Sequence, residues 1–238
     1  MERTVAPAAF TVALALVHVF GGRWQFTDRT QRRRWLSAAG GASVAYVFVL
    51  LLPEVSEAAL LAGQLRAEAL LAEQLVYLLA LVGFVAFYGV EVVVSQRGRG
   101  PAEEATTVFW LHVAVFALYS GVIGYLLFHQ EVPGLWSQFF YALAMGLHFT
   151  VTDSGLRRYH GESFDTVGRW VLAAGTLLGG VLGVVAEVPG LGIQMLFGFV
   201  AGALVLNIIK EELPEIDEGR FLAFAAGAGA YTLVLLLV

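Results

Sequence analysis

Long apolar runs, each closed by a short knot of charges, glycine or proline, recur along this chain from one end to the other. Eight can be delimited. They are Val5–Gly21, Trp35–Leu52, Leu70–Val94, Thr106–Phe128, Leu135–Gly155, Thr166–Ala186, Gly190–Ile209 and Arg220–Val238, with ends good to a few residues. Each comes close to the roughly 20 residues a helix needs to cross the hydrocarbon core of a bilayer. The first run could instead be the apolar part of a signal peptide headed by Arg3. No small-x-small cleavage site precedes Gly21, however, and the basic cluster from Arg23 through Arg34 follows as a stop-transfer signal, so a retained span is expected.

Composition supports that pattern. The chain is 58% apolar and 14% charged, where soluble domains carry about 25% charge, and its mean hydropathy is +0.76. The expected fold class is an all-α integral membrane protein, with the lipid bilayer as its principal partner. There is no cysteine, which excludes disulfides and thiolate metal sites. A net charge of -5 and no basic tract longer than Arg32-Arg33-Arg34 argue against nucleic acid. No Walker loop, Ser-His-Asp order or nucleotide fingerprint is present, so neither an enzyme nor a cofactor is expected.

The basic residues give the spans a direction. Arg23, Arg29, Arg32, Arg33 and Arg34 follow span one, and Arg97 and Arg99 follow span three. Arg157, Arg158 and Arg169 flank the turn after span five, and Lys210 and Arg220 the turn after span seven; only Arg3 and Arg66 fall on the other side. Lys and Arg are retained in the cytoplasm during insertion. The expectation is a multi-pass protein of the cytoplasmic membrane with both termini outside. The tryptophans 24, 35, 110, 136 and 170 fall near expected helix ends, as an interfacial belt should.

Two distant stretches are similar. Gly41-Ala42-Ser43-Val44 runs on to Leu52-Pro53-Glu54-Val55-Ser56-Glu57, and Gly202-Ala203-Leu204-Val205 runs on to Leu213-Pro214-Glu215-Ile216-Asp217-Glu218. Each reads as an apolar helix ending in a proline and an acidic tail. The copies are spans two and seven, which cross the membrane in opposite senses. The eight spans therefore divide into an expected 3+2+3 inverted-repeat arrangement in one membrane domain. Residues 1–96 and 165–238 are the related halves, and 105–158 the central two-helix insert.

Eight spans, this arrangement and the Leu-Pro-Glu endings together resemble the ZIP family of divalent-metal transporters. The best local match runs from Gly198-Phe199-Val200-Ala201-Gly202-Ala203 to Glu211-Glu212-Leu213-Pro214-Glu215, and Leu177 to Gly183 of span six is similar to its counterpart. The resemblance implies a metal-ion permease whose ligands sit in spans four and five, where the family carries patterns like His-Asn-x-Pro-Glu-Gly and His-Glu-x-Pro-His/Glu-Glu. Here span four offers Phe116-Ala117-Leu118-Tyr119-Ser120-Gly121, with Tyr119 in place of the proline and Ser120 in place of the carboxylate. Span five offers His148-Phe149-Thr150-Val151-Thr152-Asp153, keeping only the first histidine and the last acid. A divalent ion needs several anionic or imidazole ligands to offset its desolvation, so no metal-binding residue is assigned. The expected function is a ZIP-like permease that moves a cation weakly or another substrate. The alternative is a non-transporting scaffold or sensor that keeps the fold.

The candidates for a transport path are Tyr119, Ser120, His148, Thr152, Asp153, Asn207 and Glu211. Tyr119 and Ser120 are expected to face His148 and Thr152 across the bundle centre. His148 and Thr152 share a helix face at i and i+4, whereas Asp153 lies about 140° away from His148. Either His148 belongs to a weak polar site or it hydrogen-bonds a neighbouring helix. Asp153 is expected to pair with Arg157 near the helix end. Glu211 sits three residues before Pro214 with Asn207 one turn earlier. Both could touch a passing ion, or Glu211 could simply balance Lys210 at the interface. Lys210, the chain's single lysine, lies too near an expected helix end for a retinal-type Schiff base and is expected to snorkel or pair with an adjacent glutamate. Glu91 reads as a membrane-edge charge. Gly198-x-x-x-Gly202 suits either an internal helix crossing or a homodimer face.

Overall fold

The computed structural model describes residues 2–21, 29–65, 71–97, 102–129, 134–212 and 220–236. Helix α1 spans Glu2–Phe20, α2 Arg29–Tyr46, α3 Leu52–Leu65, α4 Ala72–Arg97 and α5 Ala102–Leu126. Then come α6 (Leu135–His160), α7 (Arg169–Val185), α8 (Gly190–Asn207) and α9 (Phe221–Leu236). Three π-helical turns join this series, at Val47–Leu51 between α2 and α3, at Phe164–Gly168 before α7 and at Ile208–Glu212 after α8. Because α2, its π turn and α3 run on as one rod, every expected apolar segment coincides with a helical rod. Arg23, Trp24, Arg66, Arg99 and the second Leu-Pro-Glu (213–215) with its acidic tail lie outside the described residues.

The outer surface is as apolar as the interior. On α4 the buried residues are Ala72, Val76, Gly83, Phe87, Glu91 and Val94, a stripe at helical spacing that contains the helix's buried carboxylate. Leu78, Leu81, Val82, Val85 and Tyr88 point outward. Leu118 and Val185 are each 71% exposed, while His18, His148 and Asp153 are each 1% exposed. Water would make such a surface costly, and a hydrocarbon solvent makes it favourable. By length and composition five rods could cross a membrane: Arg33–Gln64, Ala72–Arg97, Glu104–Leu126, Phe164–Val185 and Gly190–Lys210. The chain is a multi-pass membrane protein.

Helix α6, expected as the fifth span, is too polar to rank with those five. Its burial explains the polarity. His148, Thr152 and Asp153 are turned inward among Tyr141, Met145 and Phe149, where partners from other helices are at hand. Helices α1 and α9 are apolar but shorter.

The first Leu-Pro-Glu does not end a helix. Proline 53 lies inside α3, immediately after the π turn Val47–Leu51. A proline ring clashes with the carbonyl four residues back and cannot donate to it. That carbonyl belongs to Val49, in the π turn, where wider i to i+5 bonding makes room for the ring. The rod therefore runs on to Leu65. A π turn stands at the corresponding place in the second copy, Ile208–Glu212, just before Pro214.

Close crossings hold the rods together. α2 packs on α9, α4 on α8 and α5 on α7, and α1 lies against α6 and α7. Glycine makes these approaches feasible. A Cβ at Gly202 would fall 1.7 Å from the Ala80 carbonyl oxygen, one at Gly83 2.1 Å from that of Phe199, one at Gly41 2.0 Å from that of Phe224, and one at Gly227 2.0 Å from that of Ala38. The shift along the sequence that carries Gly41 onto Gly202 also carries Ala38 onto Phe199. One further common shift carries Ala80 onto Phe224 and Gly83 onto Gly227. Gly198 likewise meets the Val76 carbonyl, so Gly198-x-x-x-Gly202 serves the internal α4–α8 crossing.

Candidate functional site

Polar and ionisable side chains occupy the interior in four groups. At the first, Tyr119 of α5 and Thr152 of α6 bring their hydroxyls to the same atom, Nε2 of His148, at 3.3 and 3.5 Å. All three are buried, as is Ser120 beside Tyr119. With Nε2 bare, its single lone pair can accept from either hydroxyl. Aromatic rings crowd this centre. Phe87 lies edge-on to Tyr119 at 5.2 Å between centroids and to Phe116 at 5.5 Å.

The second place corrects the expected Asp153–Arg157 pair. Asp153 is 1% exposed, and both its oxygens lie 3.0 Å from Nδ1 of His18 on α1. The His18 ring stands 4.3 Å from that of Phe149. Arg157 instead donates to Asp165 at 2.5 Å and lies over the Phe164 ring. The reason is depth. α6 continues to His160, so Asp153 sits well inside the bundle, where a carboxylate must find a donor on an adjacent helix. The signal for His18 was present, an isolated histidine in an otherwise apolar span, but its partner lies in a span far along the sequence.

The third group consists of residues that precede the two π turns. Asn207, the last residue of α8, is 0% exposed, and neither its amide oxygen nor its nitrogen has a hydrogen-bond partner among the described residues. Tyr46 stands at the corresponding place in the first copy, immediately before Val47–Leu51, and its buried hydroxyl is likewise unpartnered, as is that of Ser43 one turn earlier. Buried polar atoms in bundles are rarely left this way, and each such case asks for an explanation. The Glu211 side chain lies outside the described residues.

The fourth place was missed by sequence reasoning, which put Glu91 and Lys210 at the membrane edge. Glu91 of α4 is 8% exposed and holds two partners. Lys210, in the π turn after α8, donates to its Oε2, and His112 of α5 meets its Oε1 through Nε2 at 3.3 Å. On its other side, His112 Nδ1 lies 2.9 Å from Nε2 of His160 at the end of α6. Lys210 thus pairs with a glutamate of a distant helix. The four groups form a string, not a ring. Among the described residues no three His, Asp or Glu side chains converge to hold a metal ion.

Comparison with protein-family models and with curated proteins finds no match.

Proposed function

We propose that this protein is a permease of two inverted, related halves around a central helix pair, similar in architecture to ZIP metal-ion transporters but without their ligand set. The paired glycine crossings support the inverted halves. The Gly202–Ala80 and Gly83–Phe199 contacts between α8 and α4 have counterparts in Gly41–Phe224 and Gly227–Ala38 between α2 and α9, under the same two shifts along the sequence. The two π turns, each just ahead of a Leu-Pro-Glu, support the same reading.

One observation carries the transport reading. The Asn207 amide is fully buried with no partner among the described residues, next to the π turn Ile208–Glu212. Broken or distorted helices are where secondary transporters expose polar groups to substrate, and π turns recur at functional positions. An amide and the Tyr46 and Ser43 hydroxyls are neutral ligands, so the substrate is a weakly coordinated cation or a small polar solute. At the place where the family resemblance puts metal, His148 is held by Tyr119 and Thr152.

Radiotracer uptake into proteoliposomes, against protein-free vesicles, tests this with zinc, manganese, sodium and small neutral solutes. Uptake by the native chain that disappears in N207L supports the reading, and uptake unchanged in N207L overturns the assigned path. A second reading, a scaffold or sensor without flux, draws support from the Phe87, Phe116 and Tyr119 rings that fill the centre. No uptake of any of these solutes would favour it.

A further inference from the structure

The string from Lys210 to His160 ends at a pocket. About 390 Å³ of open space lies where the start of α5 meets the end of α6, walled by Phe109, Trp110, Tyr159, His160, Ser163 and Thr166. His160 borders this pocket, while His112 behind it is 4% exposed. We propose that His112 is a buried proton-binding site, loaded from the pocket through His160 and balanced by the Glu91 carboxylate, which Lys210 holds in place.

The hydrogen-bond geometry assigns the steps. In the neutral state His112 Nε2–H donates to Glu91, which leaves its Nδ1 bare to accept the Nε2–H of His160. The other nitrogen of His160, Nδ1, is then bare. A proton arriving from the pocket bonds there, and the Nε2 proton of His160 passes to His112 Nδ1. One proton has entered at His160 Nδ1 and one now resides on His112, and His160 is again neutral with its tautomer exchanged. The imidazolium is fully satisfied, donating to a carboxylate on one side and to a bare imidazole nitrogen on the other. Such charge-assisted bonds are the strong ones.

The groups of this site come from four elements: Glu91 from α4, His112 from α5, His160 and Tyr159 from α6, and Lys210 from the turn after α8. The Tyr159 hydroxyl donates to the Val94 carbonyl and stays outside the string. Glu91 sits between two cations once His112 is loaded, so its bond to Lys210 weakens. Lys210 lies one turn from Asn207, and loading therefore loosens the end of α8 at the place where the transport reading puts substrate.

Nitrogen-15 histidine spectra of the whole protein in lipid nanodiscs test this without any transported solute, so a failed uptake assay leaves the result intact and the converse holds too. The chain has five histidines, and single His→Gln variants assign them. On acidification, His112 should go from one protonated nitrogen to two. K210M, which removes a neighbouring positive charge, should raise the pH at which this happens, and E91Q should lower it by at least about one unit. H160Q should slow proton exchange at His112 by at least about tenfold, and H160A should regain the fast rate when imidazole is added. H129Q should behave as the native chain. If E91Q does not fold, K210M carries the charge test, because that side chain is 37% exposed. His112 staying neutral on acidification, a midpoint unmoved in K210M, or exchange as fast in H160Q as in the native protein would each overturn the proposal.

Discussion

At the scale of single residues, the interior distinguishes groups that support the fold from groups held open. His18 and Asp153 are each other's partner, so losing one leaves a buried group uncompensated. H18A should destabilise the protein by about 3–5 kcal/mol, and the double variant H18L/D153L should recover most of that loss. Thermal unfolding in detergent is the measurement; equal costs for single and double variants would mean the pair is not a unit. Asn207 should behave in the opposite way. An unsatisfied buried amide costs about 1–3 kcal/mol, so N207L should raise stability by a comparable amount while removing transport. A destabilised N207L would mean the amide has a structural partner. At His148, Tyr119 and Thr152 do not compete for a divalent ion. T152H places a second imidazole one turn away on the same face, and it should show a zinc-dependent rise in melting temperature that the native chain lacks.

At the scale of helices, backbone contact at glycine decides the packing. G202A and G41A each put a methyl group into a carbonyl of the facing helix, and overpacking of this kind costs about 1–3 kcal/mol. Because the two crossings correspond, the two costs should be similar. Gly89 has nothing within 4 Å of its would-be Cβ, so G89A should be neutral or stabilise by up to about 1 kcal/mol. Unfolding in mixed micelles would measure all three, and a neutral G202A would contradict the close α4–α8 crossing.

At the scale of the whole molecule, the proposed topology is open to direct labelling, because the native chain has no cysteine to remove. Single cysteines introduced at Thr4 and at Leu236 should react with an impermeant maleimide from the same side of the membrane. One at Arg97 should react only from the other. Opposite accessibility of Thr4 and Leu236 would rule out an even number of crossings and with it the inverted halves.

The sequence by itself determined where the helices lie. Runs of apolar residues broken by charge leave a helix as the structure that satisfies its own backbone in lipid, so element positions could be read without any tertiary information. It also marked Tyr119, His148 and Thr152, because similarity in local order survives without contacts. Tertiary structure alone decided which polar group meets which. Asp153 lies beside Arg157 in a helical register yet bonds His18 from the far end of the chain. Glu91, His112, His160 and Lys210 come from four different helices and look like four unrelated residues in the sequence. Periodicity encodes only neighbours within a few residues, whereas in a low-dielectric interior a charge is placed by whatever donor the facing helix presents. The π turns belong to the same class: proline gives notice of a disturbance, but packing determines that the rod widens and continues rather than ends.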